Sequence, residues 1–234
     1  MNDHVVSTRS LTRTFLLGDV TVQALRGVDF DLSRGDFAAV AGPSGSGKTT
    51  LFNLIGGLDE PTSGEVFVDG RPLAGMSRRA LSRLRLDKIG FVFQAYNLIP
   101  VLTAYENVEY PLLLKKLPAR TRRARVGALL EAVGLADLVH RRPAQMSGGQ
   151  QQRVAIARSL VCDPVVVLAD EPTANVDSET GASLLRLMER LNRDQGITFL
   201  FSTHDPAVMK AARRLVRLKD GLIDTDVRQE GGVS

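Results

Sequence analysis

The chain has 234 residues, 44% of them hydrophobic and 24% charged, with a formal net charge of +4. That length suits one α/β domain carrying an inserted lobe, the apolar content excludes a disordered chain, and so mild a charge gives no argument for nucleic acid. A single cysteine excludes a disulfide framework and fits a reducing compartment.

The polar start, Met1-Asn2-Asp3-His4, lacks an apolar segment and does not read as a signal peptide. No apolar run approaches the length that spans a bilayer, so a membrane role has to come through a partner. Residues 5–32 read as short strands with turns, and residues 64–70 as a further strand ending in an Asp-Gly turn; together they predict a small antiparallel sheet. Apolar runs rich in β-branched residues predict buried strands at 37–41, 90–93, 165–169 and 198–202. Helical patterns at 48–55, 150–161 and 178–194 separate them, and this alternation predicts a parallel sheet flanked by helices.

Residues from about 100 to 160 are helical in pattern with no clear strand, with 121–133 strongly amphipathic, and predict an inserted helical subdomain. Two basic clusters, Arg78, Arg79, Arg83 and Arg85, then Arg120, Arg122, Arg123 and Arg125, read as solvated helix faces. Cys162 reads as a buried structural thiol, and the chain beyond Asp224 as a frayed polar tail. The expected organisation is one domain over 1–234, an α/β fold with a mainly parallel sheet, a small antiparallel β subdomain and the helical insertion.

Gly42-Pro43-Ser44-Gly45-Ser46-Gly47-Lys48-Thr49 fits the phosphate-binding pattern GxxxxGK[ST], between an apolar strand and a helix beginning at Thr50. Glycines let backbone N–H groups turn onto phosphate oxygens, and the following helix aims its N-terminus at them. Lys48 adds a positive charge at the β/γ position, and Thr49 offers a hydroxyl to Mg²⁺. The pattern makes the chain a P-loop NTPase with an α/β core; the cradle is taken as residues 42–50.

The apolar run 165–169 ends in Asp170-Glu171, at the strand end where open α/β sheets bind ligands. Asp170 suits Mg²⁺, held through water, and Glu171 suits orientation and deprotonation of an attacking water. Met146-Ser147-Gly148-Gly149-Gln150 is a capped helix start with two glycines that allow close approach to a phosphate. One ATP does not need two helix N-termini and two glycine loops, so the economical arrangement is two chains sharing two ATPs.

These residues resemble the ATP-binding subunits of ABC transporters over about residues 5–223. The ordered motifs are the P-loop at 42–49, the glutamine loop Phe93-Gln94, the signature at 146–150, the strand ending Asp170-Glu171, the D-loop Asn175-Val176-Asp177, and the switch histidine His204 in Ser202-Thr203-His204-Asp205. The resemblance implies a head-to-tail pair in which the P-loop of one copy faces Ser147, Gly148, Gly149 and Gln150 of the other. It further implies that Gln94 senses Mg²⁺ and the water, that His204 contacts the γ-phosphate, that Asp177 touches the opposite copy, and that Phe15 stacks on adenine. Met146 stands where leucine is usual and Phe15 where tyrosine is more common; both keep the apolar or ring character required. Lys48, Gln94, Glu171 and His204 are then the expected catalytic set, and ATP and Mg²⁺ the expected cofactors.

The segment Phe91-Val92-Phe93-Gln94-Ala95-Tyr96-Asn97-Leu98-Ile99-Pro100, with Glu106-Asn107-Val108, is similar to the group containing LolD, MacB and FtsE. That likeness implies a second copy and an integral membrane permease subunit as partners, no nucleic acid, and a cytoplasmic location at the inner face of the cell membrane. Export of lipoprotein, lipid or hydrophobic small molecules is one outcome. An FtsE-like signalling ATPase that controls a cell-wall enzyme without transport stays open.

Overall fold

A computed structural model describes residues 4–18 and 20–229, so Met1-Asn2-Asp3, Asp19 and residues 230–234 lie outside the described residues. The chain begins with β1 (His4–Leu17), β2 (Val20–Ser33), β3 (Phe37–Ala41), α1 (Lys48–Ile55), β4 (Ser63–Val68) and β5 (Arg71–Pro72). It continues with α2 (Arg78–Lys88), β6 (Ile89–Val92), α3 (Ala104–Leu114), α4 (Ala119–Ala132) and α5 (Gly148–Leu160). It closes with β7 (Val166–Asp170), α6 (Ser178–Gln195), β8 (Phe199–Thr203), α7 (Pro206–Ala211), β9 (Arg214–Lys219) and β10 (Leu222–Arg228).

Two sheets result. One has the order β2-β1-β4-β5 and is antiparallel. The other has the order β10-β9-β3-β8-β7-β6, parallel from β9 to β6 with β10 antiparallel at its edge. Strands β3, β6, β7 and β8 of the larger sheet are buried on both faces, which explains why they read as continuous apolar runs. Alternate residues divide between two cores. Phe37, Ala39, Phe199 and Phe201 face the helices α3 to α7. Ala38, Val40, Leu168 and Leu200 face α1 and the smaller sheet. The Phe37 and Phe201 rings meet edge-on at 4.7 Å between centroids.

The region 5–32 differs from the short strands expected: β1 and β2 are a hairpin of two 14-residue strands. The register shifts four times along their pairing, and such irregularities interrupt the period-2 pattern that a sequence reading follows. The tail beyond Asp224 also differs. Residues 222–228 form β10, held where the Arg214 guanidinium meets both Asp226 oxygens at 2.8 and 2.6 Å, and where Gln229 Nε2 donates to the carbonyls of Met209 and Ala212. An exposed edge strand carries polar side chains, so its sequence looks like a tail.

Between β6 and β7 the regular elements are helical. Thr103 caps α3 in a reciprocal box with Glu106. Buried Asn107 accepts from the Ile99 amide and donates to the carbonyls of Ile99, Leu102 and Thr103. One side chain thus fixes the loop after Gln94. Cys162 is buried, and burial pushes its thiol pKa up.

Candidate functional site

Four adjacent parallel strands deliver the expected groups to one edge of the sheet. The 42–47 loop leaves β3, whose Ala41 is level with Thr203 at the end of β8. Asp170 of β7 is level with Ser202, and Val92 of β6, two residues before Gln94, is level with Ala169. The C-terminal edge of an open parallel sheet is where loops can surround a ligand without disturbing the core.

In the 42–47 loop the glycines have different jobs. A Cβ on Gly42 would lie 2.2 Å from the Leu218 carbonyl, so β9 packs directly on the loop's start. Gly47 has φ +104°, and a Cβ there would lie 2.6 Å from the Ala24 carbonyl of β2. At Gly45 a Cβ would meet nothing within 4 Å, which is the open side of the cradle. Lys48 Nζ donates to the Gly42 and Pro43 carbonyls at 2.7 and 3.0 Å, holding the ammonium over the loop. Ser46 is buried and its hydroxyl has no protein partner. Pro43, Ser44, Gly45 and Thr49 are exposed, and Thr50 is half-buried.

Asp170 and Glu171 are consecutive but sit in different surroundings. Burial pushes the Asp170 carboxyl above its usual value and the neighbouring Glu171 adds to this, while the Ser202 hydroxyl and Lys48 oppose it. Glu171 sits at φ +46°, a strained backbone for a non-glycine residue. Its side chain is held at both oxygens. His204 Nδ1 lies 2.6 Å from Oε1, and the Thr203 hydroxyl donates to Oε2 at 3.2 Å. Since a carboxylate only accepts, Nδ1 carries the hydrogen. Thr203 Oγ1 also accepts from the Asp205 amide at 2.9 Å, and Thr173 Oγ1 donates to Asp205 Oδ2 at 2.9 Å. The loops after β7 and β8 are therefore tied together behind Glu171.

Gln94 is exposed beside the D-loop: Asn175 Nδ2 donates to the Gln94 carbonyl at 2.9 Å. Ser147 caps α5 in a reciprocal box with Gln150. Both glycines at this helix start are required by the chain's own packing. A Cβ on Gly148 would lie 2.8 Å from the Tyr96 hydroxyl, and one on Gly149 would lie 2.4 Å from Thr180 Cγ2. The sequence alone accounts for these glycines by approach to phosphate; the structure adds a steric reason within one copy. Asp177 caps α6, accepting from the Thr180 amide and hydroxyl, and these bonds hold its carboxyl below the usual range.

Phe15 is half-buried near the end of the β1–β2 hairpin, with the Arg13 guanidinium 4.5 Å from its ring centroid. Arg13 is itself anchored on Asp59 at 2.8 Å. Val22, which pairs with Phe15, lies two residues before Ala24, whose carbonyl closes on Gly47, so the hairpin that carries Phe15 reaches the loop through β2. The sequence reading did not single out Thr203 as a support of Glu171, nor Asn175 and Arg158 as holders of the Gln94 loop. Thr203 had a signal, a β-branched hydroxyl beside the histidine. Asn175 and Arg158 act through backbone carbonyls and leave no pattern.

The residues present fit a magnesium nucleotide. The open space at Gly45 and the buried Ser46 hydroxyl without a protein partner fit a loop that takes up phosphate oxygens. The available donors, Thr49 hydroxyl, Asp170 carboxylate and Gln94 amide, are hard oxygens suited to Mg²⁺, which completes its shell with water and phosphate.

A family model described as "ABC transporter" matches residues 25–174. A Thermotoga maritima protein described as an uncharacterized ABC transporter ATP-binding protein is 50% identical over 208 residues, covering 89% of this chain and 88% of that protein. The macrolide export ATP-binding/permease protein MacB of Syntrophobacter fumaroxidans is 46% identical over 224 residues; they cover 95% of this chain but only 31% of MacB. An ABC transporter ATP-binding protein of Methanocaldococcus jannaschii, MJ0796, is 43% identical over 231 residues, 97% of this chain and 98% of that protein. The dimeric structure of MJ0796 in a post-hydrolysis state, bound to ADP and Pi, superposes with a TM-score of 0.87 at 42% identity, covering 97% of this chain and 99% of the other.

Proposed function

The chain belongs to the ABC transporter family as an ATP-binding, ATP-hydrolysing subunit, and from that premise we propose that two copies close on ATP to drive a separate membrane subunit of the LolD/MacB-like export kind. The observation that carries this is the shared sheet edge, where β3, β8, β7 and β6 bring the P-loop, His204, Asp170-Glu171 and Gln94 side by side.

In this account the loop amides and Lys48 bind the β- and γ-phosphates, and Phe15 stacks on adenine with Arg13 behind it. Thr49, Asp170 and the Gln94 amide oxygen would hold Mg²⁺, which when bound neutralises phosphate charge. Glu171 orients the attacking water and takes its proton. His204 and Thr203 fix both carboxylate oxygens, so the base keeps one orientation. Ser147, Gly148, Gly149 and Gln150 of the second copy cover the γ-phosphate, Asp177 reaches across the same junction, and hydrolysis reopens the pair.

The membrane subunit would dock beside Gln94. A cavity of about 390 Å³ opens there, lined among others by Leu58, Phe91, Phe93, Asn97 and Pro111. It lies where the helical segment meets the larger sheet, and the stacked Phe91 and Phe93 rings, 5.5 Å apart, form part of its wall. A cytoplasmic helix of the partner suits a cleft of this kind. No helix among the described residues is long and apolar enough to cross a membrane, and the MacB relatives carry about twice as much chain again beyond the matched part. The test is a detergent pull-down with the Glu171→Gln variant and ATP. Recovery of an integral membrane protein with a large external domain supports the export motor; recovery of only soluble proteins removes it and leaves the ATPase.

A further inference from the structure

The loop after Gln94 has a backbone that needs explaining. Tyr96 and Asn97 are consecutive residues with φ of +59° and +49°. Asparagine tolerates the left-handed region; tyrosine rarely enters it. What holds this shape comes from α5: Arg158 donates Nη1 to the Asn97 carbonyl at 2.6 Å and Nη2 to the Tyr96 carbonyl at 2.9 Å. Both terminal nitrogens of one guanidinium fork are thus committed to these two carbonyls, and the turn brings the Tyr96 hydroxyl to two other motifs.

The Tyr96 hydroxyl donates to the Asn175 carbonyl at 3.0 Å. It also fills the space that a side chain at residue 148 would take, a Cβ there lying 2.8 Å from the same oxygen. The Asn175 side chain returns to the first loop, donating to the Gln94 carbonyl at 2.9 Å, with its Oδ1 3.5 Å from Gln94 Nε2. Three loops far apart in sequence, at 94–97, 147–149 and 175–177, therefore meet around one phenol in a single copy. Two of them are surfaces that the second copy touches in the shared-site account; the third carries Gln94.

We propose that Tyr96 is a positioning residue, a latch whose hydroxyl ties the Gln94 loop to Asn175 and packs against Gly148 at the start of α5, so that docking of the second copy on those two segments sets the position of Gln94. This rests on the shared-site reading above. A chain of specific polar contacts with two arrangements, docked and undocked, is the physical requirement for such coupling. A phenol suits the task because the rigid ring has few rotamers to lose and ends in one directional donor.

The test is Tyr96→Phe, which keeps the ring and removes the donor, measured in the parent and in a Gln94→Ala background. The latch predicts unchanged affinity for a fluorescent ATP analogue and unchanged Tm. It predicts kcat lowered about fivefold in the parent but less than about twofold once Gln94 is gone, because the two residues act in series. Parent-like turnover in Tyr96→Phe overturns the inference. So does an equal loss in both backgrounds, and so does a fall in Tm with parallel losses of affinity and turnover, which would make Tyr96 a packing residue. ATP-dependent pairing of Glu171→Gln is followed alongside. If that pairing fails, the shared-site reading falls and the latch with it; if pairing holds and Tyr96→Phe is neutral, only the latch falls.

Discussion

His204 Nδ1 lies 2.6 Å from Glu171 Oε1, across the ends of two neighbouring strands, with the Thr203 hydroxyl on the other carboxylate oxygen. Both carboxylate oxygens of Glu171 are thus held by side chains of the chain itself. Glu171→Gln keeps the shape and loses the proton acceptor. It should bind ATP as the parent does while turnover falls about 100-fold or more, read in a coupled phosphate-release assay; turnover near the parent's removes Glu171 as the base.

Thr203→Val removes the donor to Glu171 and the acceptor of the Asp205 amide without changing shape. Turnover should fall by ~5-fold at unchanged KM, equivalent to about 1 kcal/mol of positioning. Steady-state kinetics over a range of ATP concentrations separate this from a binding defect, which would move KM instead.

Lys48 is already poised over the loop by the Gly42 and Pro43 carbonyls. Lys48→Ala should weaken binding of a fluorescent ATP analogue by at least ~10-fold, about 1.4 kcal/mol. An unchanged dissociation constant would mean that the ammonium plays no part in holding phosphate.

Gly149→Ala would put a Cβ 2.4 Å from Thr180 Cγ2, between α5 and α6. The overpacking should cost about 1–3 kcal/mol, and Thr180→Ser should recover most of it, because serine lacks the methyl and keeps the hydroxyl that donates to Asp177 Oδ2. Denaturant titration of the single and double variants measures this; loss without rescue would place the strain elsewhere.

How much of this was legible before the structure depends on where the information sits. The P-loop, the Asp170-Glu171 pair and four of the five parallel strands, β3, β6, β7 and β8, are written in contiguous residues, and they could be read directly. The long hairpin could not, because its register shifts are set by the partner strand. The β10 edge looked like a tail because exposure lets Asp224 and Asp226 stand there. Gly148 and Gly149 showed that something small is needed, but not that Tyr96 and Thr180 occupy the space. Contacts made through backbone carbonyls, such as Arg158 to Tyr96 and Asn97, leave no residue pattern to find.

Asp69 joins the two sheets' ends electrostatically, 2.6 Å from Lys88 Nζ. The Lys88 bond holds the Asp69 carboxyl below the usual carboxylate range, burial opposing it. A folded pKa below the unfolded one gives stability that is present above the unfolded value and lost as pH falls through the folded one. Lys88→Met should therefore lower Tm at pH 7 by ~2–4 °C at most, since a part-exposed pair is worth up to about 1 kcal/mol. The difference from the parent should shrink below about pH 4. A pH-independent difference would assign the effect to packing of the lysine stem.

The account's central claim is that ATP is enclosed between two copies, and light scattering after size exclusion tests it most directly. With ATP, Glu171→Gln should run at twice the 25.4 kDa chain mass. The Glu171→Gln/Ser147→Arg double variant should bind the nucleotide equally well yet stay at the single-chain mass, because bulk and charge at residue 147 block closure. A double variant that still pairs on ATP, or a Glu171→Gln chain that binds ATP and stays single, would contradict the shared site.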